Sequence, residues 1–242
     1  MTMRAMAIIV TLLAVIVVST AASQDLTDPY EILNNHFRSM GGLDRLRAEQ
    51  TLTFEGNISV AGLSGSIKVW VHKPDRSRAE VDLGILKIVQ GDNGEYEWNV
   101  DSNGKLQKIT EPDEAARKRE QVTKLMTLYE YADPNSEVFS VIFRRLERVD
   151  TSECYVVDIG NNINRDVHTY YFDTDTYLLL KSQVFEGEDR RETLYYDYRD
   201  VEGLMVAFRH QETALQTGQV EVVEIAEYVS NPVIEPTVFD AP

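Results

Sequence analysis

Short runs of alternating apolar and polar residues recur from residue 51 to residue 230, and little helical pattern lies between them. In "SGSIKVWVHKPDRSRAEV", Ser64 to Val81, the residues Ile67, Val69 and Val71 fall on one side and Lys68, Trp70 and His72 on the other. "TLTFEGNISV" repeats the device, with Leu52, Phe54, Ile58 and Val60 against Thr51, Thr53, Glu55, Asn57 and Ser59. Turn residues such as "AGLSG", "GDNG", "DSNG", "DTDT" and "QTG" separate the runs. The pattern predicts about eleven to thirteen strands of antiparallel sheet with one apolar face. That face must be buried, and this requirement limits the fold.

Two helices are predicted to cover it. "DPYEILNNHFRSMGG" has Asp28 as cap, Pro29 in the first turn, Gly41 and Gly42 as stop, and a stripe of Tyr30, Leu33, Phe37 and Met40. "TEPDEAARKREQVTKLMTLYEY", residues 110–131, has Thr110 with Asp113 as a capping box and a stripe of Ala115, Val122, Leu125, Met126 and Tyr129. About eleven helical residues span only ~16 Å, too little to seal a wide sheet. Three arrangements then bury the apolar face: a filled closed barrel, a two-sheet sandwich, or a curled half-barrel with helices as a lid. Only the third leaves a pocket. The apolar set comprises Phe54, Ile58, Val69, Val71, Tyr96 and Trp98, together with Phe172, Leu179 and Phe208.

The 242 residues carry 40 acidic and 24 basic side chains, a formal charge of -16, which argues against nucleic acid and anionic membrane surfaces as partners. "MTMRAMAIIVTLLAVIVVSTAAS" has one Arg4, an apolar run and then small residues, so residues 1–23 read as a signal peptide cleaved between Ser23 and Gln24. One domain, 24–242, is expected to follow. Cys154 is the single cysteine, which excludes an intrachain disulfide and reads as a buried thiol. His36, His72, His168 and His210 show no metal-ligand spacing and read as surface or strand residues. "YYDYRD" is read as holding a cross-strand ion pair, and no nucleophile elbow occurs. No dinucleotide or phosphate-loop glycine pattern is present.

Several stretches in order carry a resemblance: "GGLDRLRAEQTLTFEGNIS", "VWVHKPDRSRAEV", "GDNGEYEWNVD", "YYFDTDTYLLLKSQVFE", "YDYRDVEGLMVAFR" and the tail "EIAEYVSNPVIEPTVFDAP". Together the chain resembles the periplasmic lipoprotein-carrier superfamily, the Lol-type outer-membrane lipoprotein-sorting proteins. The resemblance implies a mainly β fold, an unclosed antiparallel half-barrel curled around a helical lid. It implies a periplasmic carrier, not an enzyme and without a cofactor, that holds lipid or lipoprotein acyl chains and passes them from an inner-membrane donor to an outer-membrane acceptor. On this reading Phe54, Ile58, Val69, Val71, Tyr96 and Trp98 line the cavity, and Leu125, Met126 and Leu128 belong to the lid. In the best-known carriers an Arg before Pro ties the lid shut. Lys73 stands at that position before Pro74, and lysine is the poorer multidentate donor. The alternative on the same fold is a domain that senses lipid or a membrane-protein partner.

Overall fold

The computed structural model describes residues 26–101, 103–110, 112–186 and 189–242, so the expected signal peptide and its cleavage point lie outside the described residues. Among the described residues thirteen strands form one antiparallel sheet. They are β1 (Thr51–Val60), β2 (Leu63–His72), β3 (Arg76–Asp82), β4 (Lys87–Asn93), β5 (Glu97–Val100), β6 (Leu106–Ile109), β7 (Phe139–Val149), β8 (Ser152–Asn161), β9 (Val167–Asp173), β10 (Leu179–Glu186), β11 (Asp189–Val201), β12 (Leu204–Ala214) and β13 (Gln219–Ser230). Their spatial order is β6-β5-β4-β3-β2-β1-β13-β12-β11-β10-β9-β8-β7. Nearly every neighbour is the next strand in sequence, as hairpin turns dictate. The exception is β1 against β13, which joins the two meanders at the middle of the sheet. The ends, β6 and β7, do not pair, so the sheet is an open half-barrel and not a closed barrel or a sandwich.

The inner face, defined as the one the helices cover, follows from strand register. The pairs Phe54↔Val69 and Val69↔Ala79 carry it along β1–β3. Val141↔Ile159 and Tyr155↔Phe172 carry it along β7–β9. Helix α1 (Pro29–Ser39) begins at Asp28, whose Oδ1 accepts from the Tyr30 and Glu31 amides, and it presses Ile32, Leu33 and Phe37 onto the β7–β9 half. Ile32, outside the expected stripe, is fully buried. A short helix α2 (Leu43–Ala48) follows and adds Leu46 to the same core.

Helix α3 is shorter than the sequence pattern predicts. It runs Glu114–Thr127, capped by Asp113 alone, whose Oδ1 accepts from the Ala116 amide at 2.7 Å. Ala115 is exposed, and Tyr129 lies past the helix end in the left-handed region (φ 59°). Val122 is buried, and Leu125, Met126 and Tyr129 pack on the β7–β9 core. A second core fills the space between β1–β3 and β12–β13 with Ile58, Leu83, Phe208, Val223 and Ile225. Cys154 is buried as expected, in a small outer-face cluster with Val149, Val156 and Tyr171, and burial pushes its thiol up to about 11.

Candidate functional site

The two cores do not fill the whole inner face. Over β2–β6 a groove of ≈ 400 Å³ has Val69, Ser77, Ala79, Gln90 and Asn99 in its lining. It adjoins a second groove of ≈ 450 Å³ between α3 and the sheet, bounded by Val71, Ser77, Asp92 and Glu97 below and by Arg119, Thr123 and Thr127 of the helix. The two share Ser77, Asp92 and Glu97. Sizes of this order suit a small ligand or a tail. The small residues Ser77 and Ala79 set the depth: in "RSRAEV" they occupy the inward positions where a larger side chain would close the floor.

Helix α3 spans this inner face with two unlike sides. Its apolar stripe sits on β7–β9, while Lys124 on the other side bridges Asp75 at 3.3 Å and Glu120 at 2.8 Å. Asp75 lies in the β2–β3 turn, so Lys124 clasps the helix to the far half of the sheet. The Glu120 hydrogen bond raises the Lys124 pKa above its ordinary value. Nearby, burial raises the Asp92 carboxyl, and Glu120 and Asp75 push the same way.

Lys73 sits beneath the end of α3. It is 8% exposed, and its Nζ donates to the Glu49 carboxylate at 3.2 Å and to the Leu46 carbonyl at 3.3 Å. Glu49, 5% exposed, also accepts from the Tyr228 hydroxyl at 2.8 Å. The ammonium lies 5.7 Å from the centre of the Tyr129 ring, and Arg47 donates to the Tyr129 carbonyl at 3.2 Å. Burial, with Glu49 adding to it, pushes the Tyr129 hydroxyl up to about 12 and that of Tyr228 higher still. Lys73 thus ties the C-terminus of α2 to β13 and to the residues that follow α3.

The sequence-predicted residues fall into four places. Val69 and Val71 line the grooves. Phe54 and Ile58 belong to the second core, where their own neighbours pack them. Leu125 and Met126 lie under α3, whereas Leu128 caps its end and is 38% exposed. Trp98 is among the residues that border the β2–β6 groove, while strand register turns its indole, and Tyr96, away from Val69. The pairs Trp70↔Arg78, Arg78↔Gly91 and Gly91↔Trp98 put Trp98 on the outer face, and Tyr96, two residues earlier, goes with it. There Lys108 donates to the Tyr96 hydroxyl at 3.2 Å. Trp98 is 2% exposed because the 3-10 turn Pro236–Phe239 covers it, and its Nε1–H donates to the Phe239 carbonyl at 2.8 Å. Gly91 makes room for the indole: a Cβ there would stand 2.7 Å from the ring.

Two smaller expectations also change. His36 is neither surface nor strand. It sits in α1 with its ring 4.6 Å from that of Phe172 and Nδ1 2.9 Å from the Tyr177 carbonyl, and burial lowers its pKa to about 4. Asp197 and Arg199 of "YYDYRD" pair along one strand and not across two. The "DTDT" segment is a turn in which Asp173 Oδ1 accepts from the Asp175 and Thr176 amides. Among the described residues no cluster of three His, Cys, Asp or Glu has metal-binding geometry, and no helix is long and apolar enough to cross a membrane.

No family model and no curated protein matches the sequence. Solved structures do match in fold. A DUF1329 family protein from Desulfovibrio piger is 14% identical, with 88% of this chain and 98% of that one covered at a TM-score of 0.57. A domain described as an outer membrane lipoprotein-sorting protein from Vibrio parahaemolyticus is 9% identical, covering 88% and 96% at 0.56. A LolA superfamily protein from Nitrosomonas europaea is 14% identical, covering 90% and 99% at 0.55. The open half-barrel with its helical lid is the fold these proteins share with this chain.

Proposed function

We propose that this chain is an exported, periplasmic, non-enzymatic carrier whose inner face takes the acyl chains of a lipid or lipoprotein, bound beside and beneath α3. The observation that carries the reading is the two-sided seating of α3. Its apolar stripe rests on the β7–β9 core, and its other flank walls a groove bounded by Val71, Ser77, Asp92 and Glu97, which adjoins the groove of Val69 and Ala79. Lifting the helix would join that groove to the apolar seat of Val122, Leu125 and Met126.

The energetics suit a carrier. Withdrawing a chain of ~14 methylenes from water is worth about 11 kcal/mol gross, at ~0.8 kcal/mol per methylene. A lid that occupies the same surface when no cargo is present competes with the load and keeps it releasable. Met126 is suited to repacking, because its unbranched thioether side chain adapts to irregular gaps. The fold shared with the lipoprotein-sorting domain and the LolA superfamily protein supports the same assignment, and with it an inner-membrane donor and an outer-membrane acceptor as partners.

Native mass spectrometry of protein purified from membranes will show co-purified lipid, and incubation with acceptor vesicles will deplete it. Lipid-free protein that neither binds nor transfers lipid would overturn the proposal. Binding without transfer would leave a sensor in place of a carrier.

A further inference from the structure

We propose that the notch between the first turns of α3 and the β8–β9 turn binds the anionic, phosphate-type headgroup of the amphiphile whose tails enter the inner face. This inference rests on the carrier reading and narrows the cargo to anionic phospholipid-like molecules.

The notch is open to solvent on one side and measures ≈ 610 Å³. Its cations are Lys118 and Arg119 from the helix and Arg165 from the turn, and its carboxylates are Glu114 and Asp166. Glu114 is already held by Lys118 at 2.7 Å. Neither Arg119 nor Arg165 forms an ion pair with any described residue. Two guanidiniums thus face one cavity free to meet an oxyanion, in a chain whose formal charge is -16. Guanidinium is the side chain best shaped for phosphate oxygens, since its planar donors pair with two of them at once.

Two features place this notch at the mouth of the acyl site. Ile163 lines it and also packs against the core under α3, so its floor runs into the apolar interior. Arg119 lines both the notch and the groove between α3 and β2–β5. A chain lying along Val122 and Met126 would therefore bring its polar end out between Arg119 and Arg165. The backbone of the turn that carries Arg165 is fixed: Asn161 Oδ1 accepts from the Ile163 and Asn164 amides, and Asn164 Oδ1 accepts from the Asp166 amide, each at 3.0 Å.

The test is a competition between phosphatidylglycerol and diacylglycerol with identical acyl chains, read by native mass spectrometry on the full chain and on the Arg119→Gln/Arg165→Gln variant. Both arginines are exposed, so the variant is expected to melt with the parent protein. The wild type is expected to favour phosphatidylglycerol about tenfold, from two exposed charge-assisted contacts. The preference should shrink with added salt and vanish in the double variant, and Arg165→Gln alone, which lies outside the acyl groove, should weaken it with diacylglycerol binding unchanged. Equal binding of the two lipids by the wild type, or a preference that survives in the variant, overturns the headgroup site and leaves the carrier standing. Failure to bind either lipid overturns both. Glycerol phosphate alone competing as well as the whole lipid would assign the notch to free phosphate and refute the lipid headgroup.

Discussion

Removing Lys73 exposes the energetics of the buried link most clearly. In Lys73→Ala the Glu49 carboxylate keeps its Tyr228 hydroxyl bond but loses the cation that pairs with it among the described residues. Breaking a buried pair from one side costs about 3–5 kcal/mol, because the remaining charge is left uncompensated in a poorly solvated place. Removing both charges in Lys73→Met/Glu49→Leu takes that stranded charge away. The double variant should therefore lose no more than about 2 kcal/mol, mostly from the Tyr228 hydroxyl left without its acceptor. Urea unfolding of Lys73→Met, Glu49→Leu and the double variant closes the cycle, and a coupling of at least ~2 kcal/mol is expected. Simple additivity would refute the reasoning. The same Lys73→Ala variant should raise amide exchange in α2 and around Tyr129, because Nζ holds the Leu46 carbonyl and faces the Tyr129 ring.

Further predictions concern the lid, the tail and pH. Lys124→Met removes the clasp to Asp75; for a partly exposed pair the loss is about 0–1 kcal/mol, so global unfolding should barely move while exchange over Glu114–Thr127 rises. Trp98→Ala should cost about 3–5 kcal/mol yet leave acyl-chain binding intact, because the indole lies on the outer face under Phe239; lost lipid binding in a folded variant would contradict that placement. His36 is neutral in the folded protein, with its pKa lowered by burial to about 4, while the unfolded chain binds a proton near 6.5. Its share of stability is present above about pH 6.5 and is lost as pH falls towards 4, up to about 3 kcal/mol; His36→Phe should flatten that part of the pH–melting curve, and an unchanged slope would refute it.

How far the sequence reaches depends on how local the determining contacts are. Strands were legible because period-two alternation and turn residues are local, and α1 because Asp28, Pro29 and the glycine pair mark both ends. The face of Trp98 was not. In "EYEWNV" an aromatic alternates with Glu97 and Asn99, which reads as an inward aromatic; here Glu97 and Asn99 line the groove together with Trp98, whose indole is turned by strand register to the opposite face. What permits this is Phe239, 141 residues away, which no local pattern reports. The partner of Lys73 was hidden for a similar reason. Glu49 closes α2 in an ordinary charged stretch, "RLRAEQ", and only the return of β2 buries it. The α3 stripe was overextended because Ala115 and Tyr129 fit the helical period, although packing begins one turn later and the helix stops at Thr127.

A photoreactive fatty acid, crosslinked to the purified protein and mapped by peptide mass spectrometry, tests most directly whether the inner face takes an acyl chain. Adducts are predicted at Val69, Val71, Leu125 and Met126, on the two flanks that α3 separates. Adducts confined to outer-face residues such as Tyr96 and Trp98, or none above an unfolded control, would contradict the account.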